Sequence, residues 1–466
     1  MFSLFEQDLK KLNALYTHHQ FSFVCLYGRS GTGKTAFVRD FCADKHTLFF
    51  SAQETEAGQQ LAAFRAAASL CLQPDRLPER FEDWNHAFSF IAEYSMVHRL
   101  VLVLDEFLTI MEHDSSFYNA FSHAVMHTLN SGRVFLIITS SSIHQVQRLL
   151  GQPDAGLFSM LTAKACLTSV PFYACQPLLA DFAPLEQLTL YCVTGGLPGC
   201  LHRIDKSRSV KDNIISLFFE TDSLQQLNPS AFLHRELRET STYNYLLSII
   251  ASGRSKLADI AREASVGTNK CAKYLNTLIA LGVLRKEFPA ADETRKRVRY
   301  VFADQMLRFW YKFVCPNLSG ILFGRGRELF EQQVRPHLTD FLAPIFETVC
   351  AEYLENLAES GQTPFLCREI GSWWTGGTSR EPFFRIPIVA DEGDSIVLGA
   401  CNCNENPAGS PLLDSLLTPP APFADRTCYC CVFSISGFKK ELAQAAAHAS
   451  NVWLIDLEDM IPSAKN

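Results

Sequence analysis

The sequence predicts an α/β chain whose first part is a parallel sheet covered by helices, followed by an all-helical region and an α+β region. Two patterns carry this. Four short apolar runs, at 22–27 (SFVCLY), 48–52 (LFFSA), 99–104 (RLVLVL) and 133–139 (RVFLIIT), alternate with helical patterns such as Leu61–Leu72 and Phe117–Leu129. Strands apolar on both faces are those of a parallel sheet buried between helix layers. A fifth strand is expected near Ala165–Thr168. The third observation is length: 466 residues exceed one ordinary domain and suggest about three.

Beyond the first sheet, residues 176–240 read as helices, interrupted by the turn Gly195-Gly196-Leu197-Pro198. Residues 242–253, 255–264 and 267–281 give three further helices, and 283–303 a charged, strand-like pair. The last region has a helix at 338–359 and strand-like runs at 384–390, 395–401 and 428–434. The Pro-rich stretch 406–424 reads as a loop. The resulting boundaries are 1–175, 176–240, 241–316 and 317–466.

Composition narrows the class. Apolar residues make up 47% of the chain, enough for sizeable cores, and the net charge of −7 excludes a wholly basic protein while leaving room for a local basic face. The 16 cysteines would form a disulfide framework in a secreted chain. The first twenty residues carry charges throughout and read as a helix rather than a signal peptide, so a reduced, cytoplasmic setting is expected. Cys428 and Cys431 have CxxC spacing within a strand-like run and no second such pair, which favours buried thiols over a zinc site. The apolar runs are strand-length, so no membrane contact is expected.

The chemistry begins at Gly28-Arg29-Ser30-Gly31-Thr32-Gly33-Lys34-Thr35, which fits G-x-x-x-x-G-K-[ST]. Glycines let backbone N–H groups turn inward around phosphate oxygens, and the helix that follows presents its N-terminus to the anion. Lys34 is the expected partner of the β- and γ-phosphates of ATP, and Thr35 a ligand of Mg²⁺. An apolar strand leads in and a helical pattern leads out, the context that a P-loop of the nucleoside-triphosphatase fold needs.

The run Leu100–Leu104 delivers two carboxylates, Asp105 and Glu106, at a strand end. Asp105 is expected at the metal, and Glu106 as the general base towards water. The fourth run ends in Thr139-Ser140-Ser141-Ser142, where a group sensing water or the γ-phosphate would sit, since strand C-termini line the ligand crevice.

Residues 241–316 have the order of a winged helix. Lys270 and Lys273 lie on its third helix, and Arg295, Lys296, Arg297 and Arg299 lie in the expected wing. Basic charge there suits DNA phosphates, yet a lid, a protein-docking module or a solvated hairpin accounts for the same residues.

Taken together, FVCLYGRSGTGKT, VLVLDEF and the GGLP turn at 195–198 resemble the archaeal-type P-loop ATPases of the AAA+/STAND group. The resemblance continues through Tyr274–Leu278, Gly282–Arg285, Phe309–Val314, Phe346-Glu347, Gly371–Trp374 and Phe433–Phe438. It implies an ATPase followed by a winged helix and a restriction-nuclease-like module of the PD-(D/E)xK type. It also implies that Pro198 lies against the adenine. Family members often carry an arginine past the sensor strand; residues 156–164 (GLFSMLTAK) have none, with Lys164 their only cation, so slow hydrolysis is expected.

In the nuclease-like module the resemblance implies an acidic residue on one strand and a Glu-x-Lys on the next. Here Pro387 stands in the aspartate place, Ala400 in the glutamate place and Asn402 in the lysine place, leaving Glu347 as the remaining acid. Proline and alanine side chains cannot ligand a metal, so an inactive module is expected, with Pro387 at a sheet edge or bulge. The leading expectation is a nucleotide-dependent switch or slow ATPase. The alternative is a DNA-binding regulator or scaffold in which ATP is structural.

Overall fold

The computed structural model describes residues 5–18, 20–72, 77–151, 156–227, 229–291, 295–365, 370–375, 383–418, 420 and 423–461. They divide into two compact units. The first comprises residues 1–170, 197–200 and 229–240; the second comprises 171–196, 201–228 and 241–466. The helical stretch read as 176–240 is therefore shared, with two short pieces of it belonging to the first unit.

The first unit holds a five-stranded sheet: β1 (Ser22–Tyr27), β2 (Thr47–Ser51), β3 (Leu100–Asp105), β4 (Val134–Ser140) and β5 (Ala163–Cys166), in the order β2-β3-β4-β1-β5. All four pairings are parallel. Alternation along each strand builds two cores. Phe23 and Cys25 join Leu102, Leu104, Leu136 and Ile138 on one face; Val24 and Leu26 join Val101, Val103, Phe135 and Ile137 on the other. The register sets Leu26 beside Thr139 and Ser51 beside Asp105, so the ends of β1 to β4 lie level. The fifth strand starts two residues earlier than the sequence suggests.

In the second unit, the helices Thr240–Ala251, Leu257–Glu263 and Thr268–Ala280 precede an antiparallel pair, β6 (Leu284–Glu287) and β7 (Arg299–Phe302). A mixed sheet follows: β8 (Ile370–Trp374), β9 (Arg385–Asp391), β10 (Ser395–Asn402), β11 (Thr427–Ser434) and β12 (Val452–Asp456), in the order β12-β11-β10-β9-β8. β9 runs antiparallel to both β8 and β10, whereas β10, β11 and β12 are parallel.

Pro387 lies in an interior strand, at a bulge where β8 and β9 slip register between Gly371 and Trp373, the second of the two places expected for it. One expectation changes. The Pro-rich stretch is not simply a loop, because Ser410–Leu417 is a helix. Pro411 sits in its first turn, where a missing N–H costs nothing, and Leu413 and Leu416 are buried beneath it. Among the described residues, no helix is long and apolar enough to cross a membrane. Burial pushes the Cys430 thiol up to about 11 and those of Cys25 and Cys403 up to about 12, so these cysteines stay protonated and inert.

Candidate functional site

The loop after β1 turns on glycines for steric reasons. A Cβ on Gly28 would stand 2.1 Å from the carbonyl oxygen of Leu167, and Gly33 takes a positive φ of 85° as the residue capping the helix Lys34–Cys42. Thr32 ties the loop through its Oγ1, which donates to the Arg29 carbonyl at 2.9 Å. The Lys34 side chain is only 5% exposed, and its Nζ donates to the carbonyls of Gly28 at 2.7 Å and Arg29 at 3.2 Å. Burial pushes this amine below its ordinary value, opposed by Glu106 and then Asp105. Thr35, one residue on, is exposed at the helix N-terminus.

Three hydroxyls organise the carboxylates across the crevice. Asp105 is 6% exposed; its Oδ1 accepts from Thr139 Oγ1 at 2.5 Å and its Oδ2 from Ser51 Oγ at 3.2 Å. Glu106 turns the chain into the left-handed region at φ 54°, and its N–H donates to Thr139 Oγ1 at 3.1 Å. Its carboxylate accepts from the Ser141 N–H at 2.8 Å and from the Ser141 hydroxyl. Such a conformation for a non-glycine residue is strained, and strain of this kind concentrates at functional sites.

Thr139, read as a ligand-sensing residue, is fully buried and its hydroxyl is spent between Asp105 and Glu106. It is a positioning residue; Ser141, in the same polar run, is the one that holds the candidate base. Pro198 packs on the loop, since a Cβ on Gly33 would meet it at 3.3 Å, and the Gly199 N–H donates to the Gly31 carbonyl at 2.8 Å. The turn at 195–198 thus returns the chain to the P-loop.

Two further residues had no signal in the sequence. Glu236, on the helix Pro229–Glu236, is 8% exposed and accepts from the backbone N–H groups of Ile143 at 2.9 Å and His144 at 3.0 Å, and from Ser142 Oγ at 3.3 Å. It caps the helix that follows β4. Burial raises its carboxyl value, and those three donors oppose the rise. Its neighbour Arg235 is exposed and acts electrostatically on Lys34. The helix that the Glu236 anchor brings back thus puts one arginine within electrostatic range of Lys34.

The donor set fits a nucleoside triphosphate with Mg²⁺: a glycine loop opening a helix, a buried ammonium held by carbonyls, an exposed threonine hydroxyl and an acidic pair free of any arginine or lysine ion pair among the described residues.

The basic residues of the third helix and the expected wing divide. Lys270, Lys273, Arg295 and Lys296 are exposed. Arg297 is partly buried, with Nη1 donating to the Trp374 carbonyl at 2.6 Å, and the Arg299 guanidinium lies 4.5 Å from the centre of the Trp374 ring. Those two do not stand at a solvated wing tip as the sequence suggests; they pack against β8.

Beside the mixed sheet, Glu347, on the helix Leu338–Glu359, accepts from both Nη atoms of Arg385, each at 2.7 Å. Asp391 is bound by Arg426 at 2.7 Å. Asn402 donates to the Asn406 carbonyl at 2.8 Å and to Ser434 Oγ at 3.1 Å, tying down a loop. Among the described residues, no group of three or more potential metal ligands occurs.

The parallel sheet, its P-loop and the carboxylates beside it define an ATPase of the P-loop class. Residues 5–203 match the family of ATPase domains found predominantly in Archaea, and residues 310–403 match a family of archaeal and bacterial proteins of unknown function. An uncharacterized protein of Methanocaldococcus jannaschii is 24% identical over 374 residues, 80% of this chain and 81% of that one. The Walker-type ATPase of Pyrococcus abyssi shares the fold at a TM-score of 0.50 and 12% identity, over 67% of this chain and 96% of that one. The first two hundred residues are thus similar to the archaeal-type ATPase domain.

Proposed function

We propose that the protein is a slow, Mg²⁺-dependent ATPase that works as a nucleotide-controlled switch in the cytoplasm. The carrying observation is geometric: Lys34 is buried on the carbonyls of its own glycine loop, and Asp105 and Glu106 are fixed at the end of β3 by Ser51, Thr139 and Ser141. The loop N–H groups and Lys34 bind and orient the β- and γ-phosphates, and Pro198 supports the base. Mg²⁺, when bound by Thr35 and Asp105, supplies charge neutralisation on the phosphate oxygens. Glu106 accepts the proton of the attacking water. The Ser141 N–H and hydroxyl hold its carboxylate in place, and the slow rate rests on the lack of an arginine in 156–164.

The switch reading draws on Glu236. It fastens 229–240 to the residues that follow β4, and the chain runs directly from there into the helix Thr240–Ala251. A change at the end of β4 on loss of the γ-phosphate would reach the next segment through that anchor. On this reading 1–175 is the ATPase core, 176–240 a helical lid, 241–316 a winged helix and 317–466 an inactive nuclease-like module. The exposed Lys270, Lys273, Arg295 and Lys296 support a second reading, a DNA-binding regulator in which ATP is structural.

Calorimetry with ATP and Mg²⁺ on the wild type and on Lys34→Ala tests the site: losing the phosphate-facing cation should weaken affinity by about 3 kcal/mol, or roughly a hundredfold. Equal affinities would end the proposal. Turnover with and without duplex DNA separates the two readings. A DNA affinity that depends on salt but ignores nucleotide favours the regulator.

A further inference from the structure

The second unit contains a cleft of about 970 Å³ between β6 and β7, the helix Leu338–Glu359 and the strands β8 and β9. It opens where the resemblance would put a nuclease centre, yet its chemistry is different. Pro387 lines it, and Glu347 is neutralised by Arg385. A cation site has become a site that already holds its own cation.

Several features of the cleft call for an anion with a flat organic part. Ser372 is 7% exposed and its Oγ has no hydrogen-bond partner among the described residues. A buried hydroxyl left so is costly unless a ligand completes it. Trp373 is in the core on one face of β8, so Ser372 and Trp374 take the other face, the one Arg299 covers. Arg299 makes no ion pair among the described residues, and its buried Nε has no partner there. Burial, and then the nearby Arg385, push its guanidinium below the ordinary value, and Glu287, its partner across β6 and β7, only partly opposes them. Lys286 adds an exposed ammonium at the rim. Phe383, 53% exposed, and Phe288 add ring faces beside those cations. The cleft is far larger than a bare inorganic ion and lies at the size of organic-ligand pockets.

We infer that this cleft binds a nucleoside phosphate, free or as the 5′-phosphorylated end of a single strand, with the phosphate on Arg299, Ser372 and the outer N–H groups of Arg385 and the base against Phe383 or Phe288. Arginine forks suit phosphate oxygens, and aromatic faces accept any base. The inference is independent of the P-loop site.

The test uses the full chain carrying Lys34→Ala, so that the P-loop contributes little, and follows tryptophan fluorescence. The probes are the four nucleoside monophosphates, a 5′-phosphorylated trinucleotide and its unphosphorylated form. Saturable binding is expected, about tenfold weaker in Arg299→Ala and several-fold weaker in Ser372→Ala. Ser372→Ala removes only an unpartnered hydroxyl, so it should keep the parent melting temperature and remain informative if Arg299→Ala does not fold. Monophosphates binding as well as the trinucleotide identify a free nucleotide; preference for the phosphorylated trinucleotide identifies a strand end. The inference is overturned by no saturation up to about 1 mM of any probe, by equal affinity for the unphosphorylated trinucleotide, or by affinities that Arg299→Ala and Ser372→Ala leave unchanged. In that last case the binding belongs to a P-loop that survives Lys34→Ala.

Discussion

Two sheets in this chain bring acidic residues to a crevice, and they satisfy them differently. At the end of β3, Asp105 and Glu106 are held by serine and threonine hydroxyls and by backbone N–H groups. Beside β9, Glu347 and Asp391 are each clasped by an arginine. Neutral donors fix a carboxylate's direction and leave its charge for a cation or a proton. A guanidinium consumes both charge and lone pairs. The same residue type thus keeps its charge available in one place and has it neutralised in the other.

The comparison breaks most directly at Glu106. Glu106→Gln keeps the shape but cannot take a proton, so turnover should fall about 10²- to 10⁴-fold with ATP affinity nearly unchanged. Unaltered single-turnover rates would move the base elsewhere. Arg235→Ala sharpens the first half of the contrast. A cation that meets charge developing in the transition state contributes on the order of a hundredfold in kcat. KM should move little, and a pure KM effect would make Arg235 a binding residue only.

On the other side, Arg385→Ala leaves Glu347 half-buried without its partner. Breaking a buried pair costs several kcal/mol, and partial exposure of both groups reduces this to about 2 kcal/mol in a denaturant titration. The double change Glu347→Leu with Arg385→Met should recover most of that loss. Neither variant should cut nucleic acid with Mg²⁺ or Mn²⁺; cleavage by the wild type, lost in Glu347→Gln, would show that the acid is still in use.

The smallest effect concerns Glu236, another carboxylate held by neutral donors. Burial raises its value above 4.5 in the folded chain. Its contribution to stability is therefore full below that ordinary value and is lost as pH rises through the raised one. Melting temperatures of the wild type and Glu236→Gln, compared from acid to neutral pH, should diverge in the variant's favour as pH rises. A difference that is flat across that range would mean the N–H donors cancel the cost of burial.

Much of this was legible beforehand. The P-loop and the carboxylates at the end of β3 are local patterns, in which neighbours in sequence do the work. The fifth strand and the helix Ser410–Leu417 were less so, because a four-residue strand of alternating burial and a proline-led helix carry weak periodicity. Arg235 and Glu236 were not legible at all. Neighbouring charged residues on a helix are ordinary until folding brings Glu236 onto the N–H groups of Ile143 and His144 and Arg235 within electrostatic range of Lys34.

The sequence by itself determined the class of the first unit and the identity of its phosphate loop, because glycine, lysine and carboxylate at that spacing leave one stereochemical use. Only the tertiary structure decided which hydroxyls hold Asp105 and Glu106, that Arg235 stands near Lys34, and that Arg299 faces a cleft instead of solvent. Each of these depends on contacts between residues far apart in the chain, and the strength of a charge depends on what surrounds it.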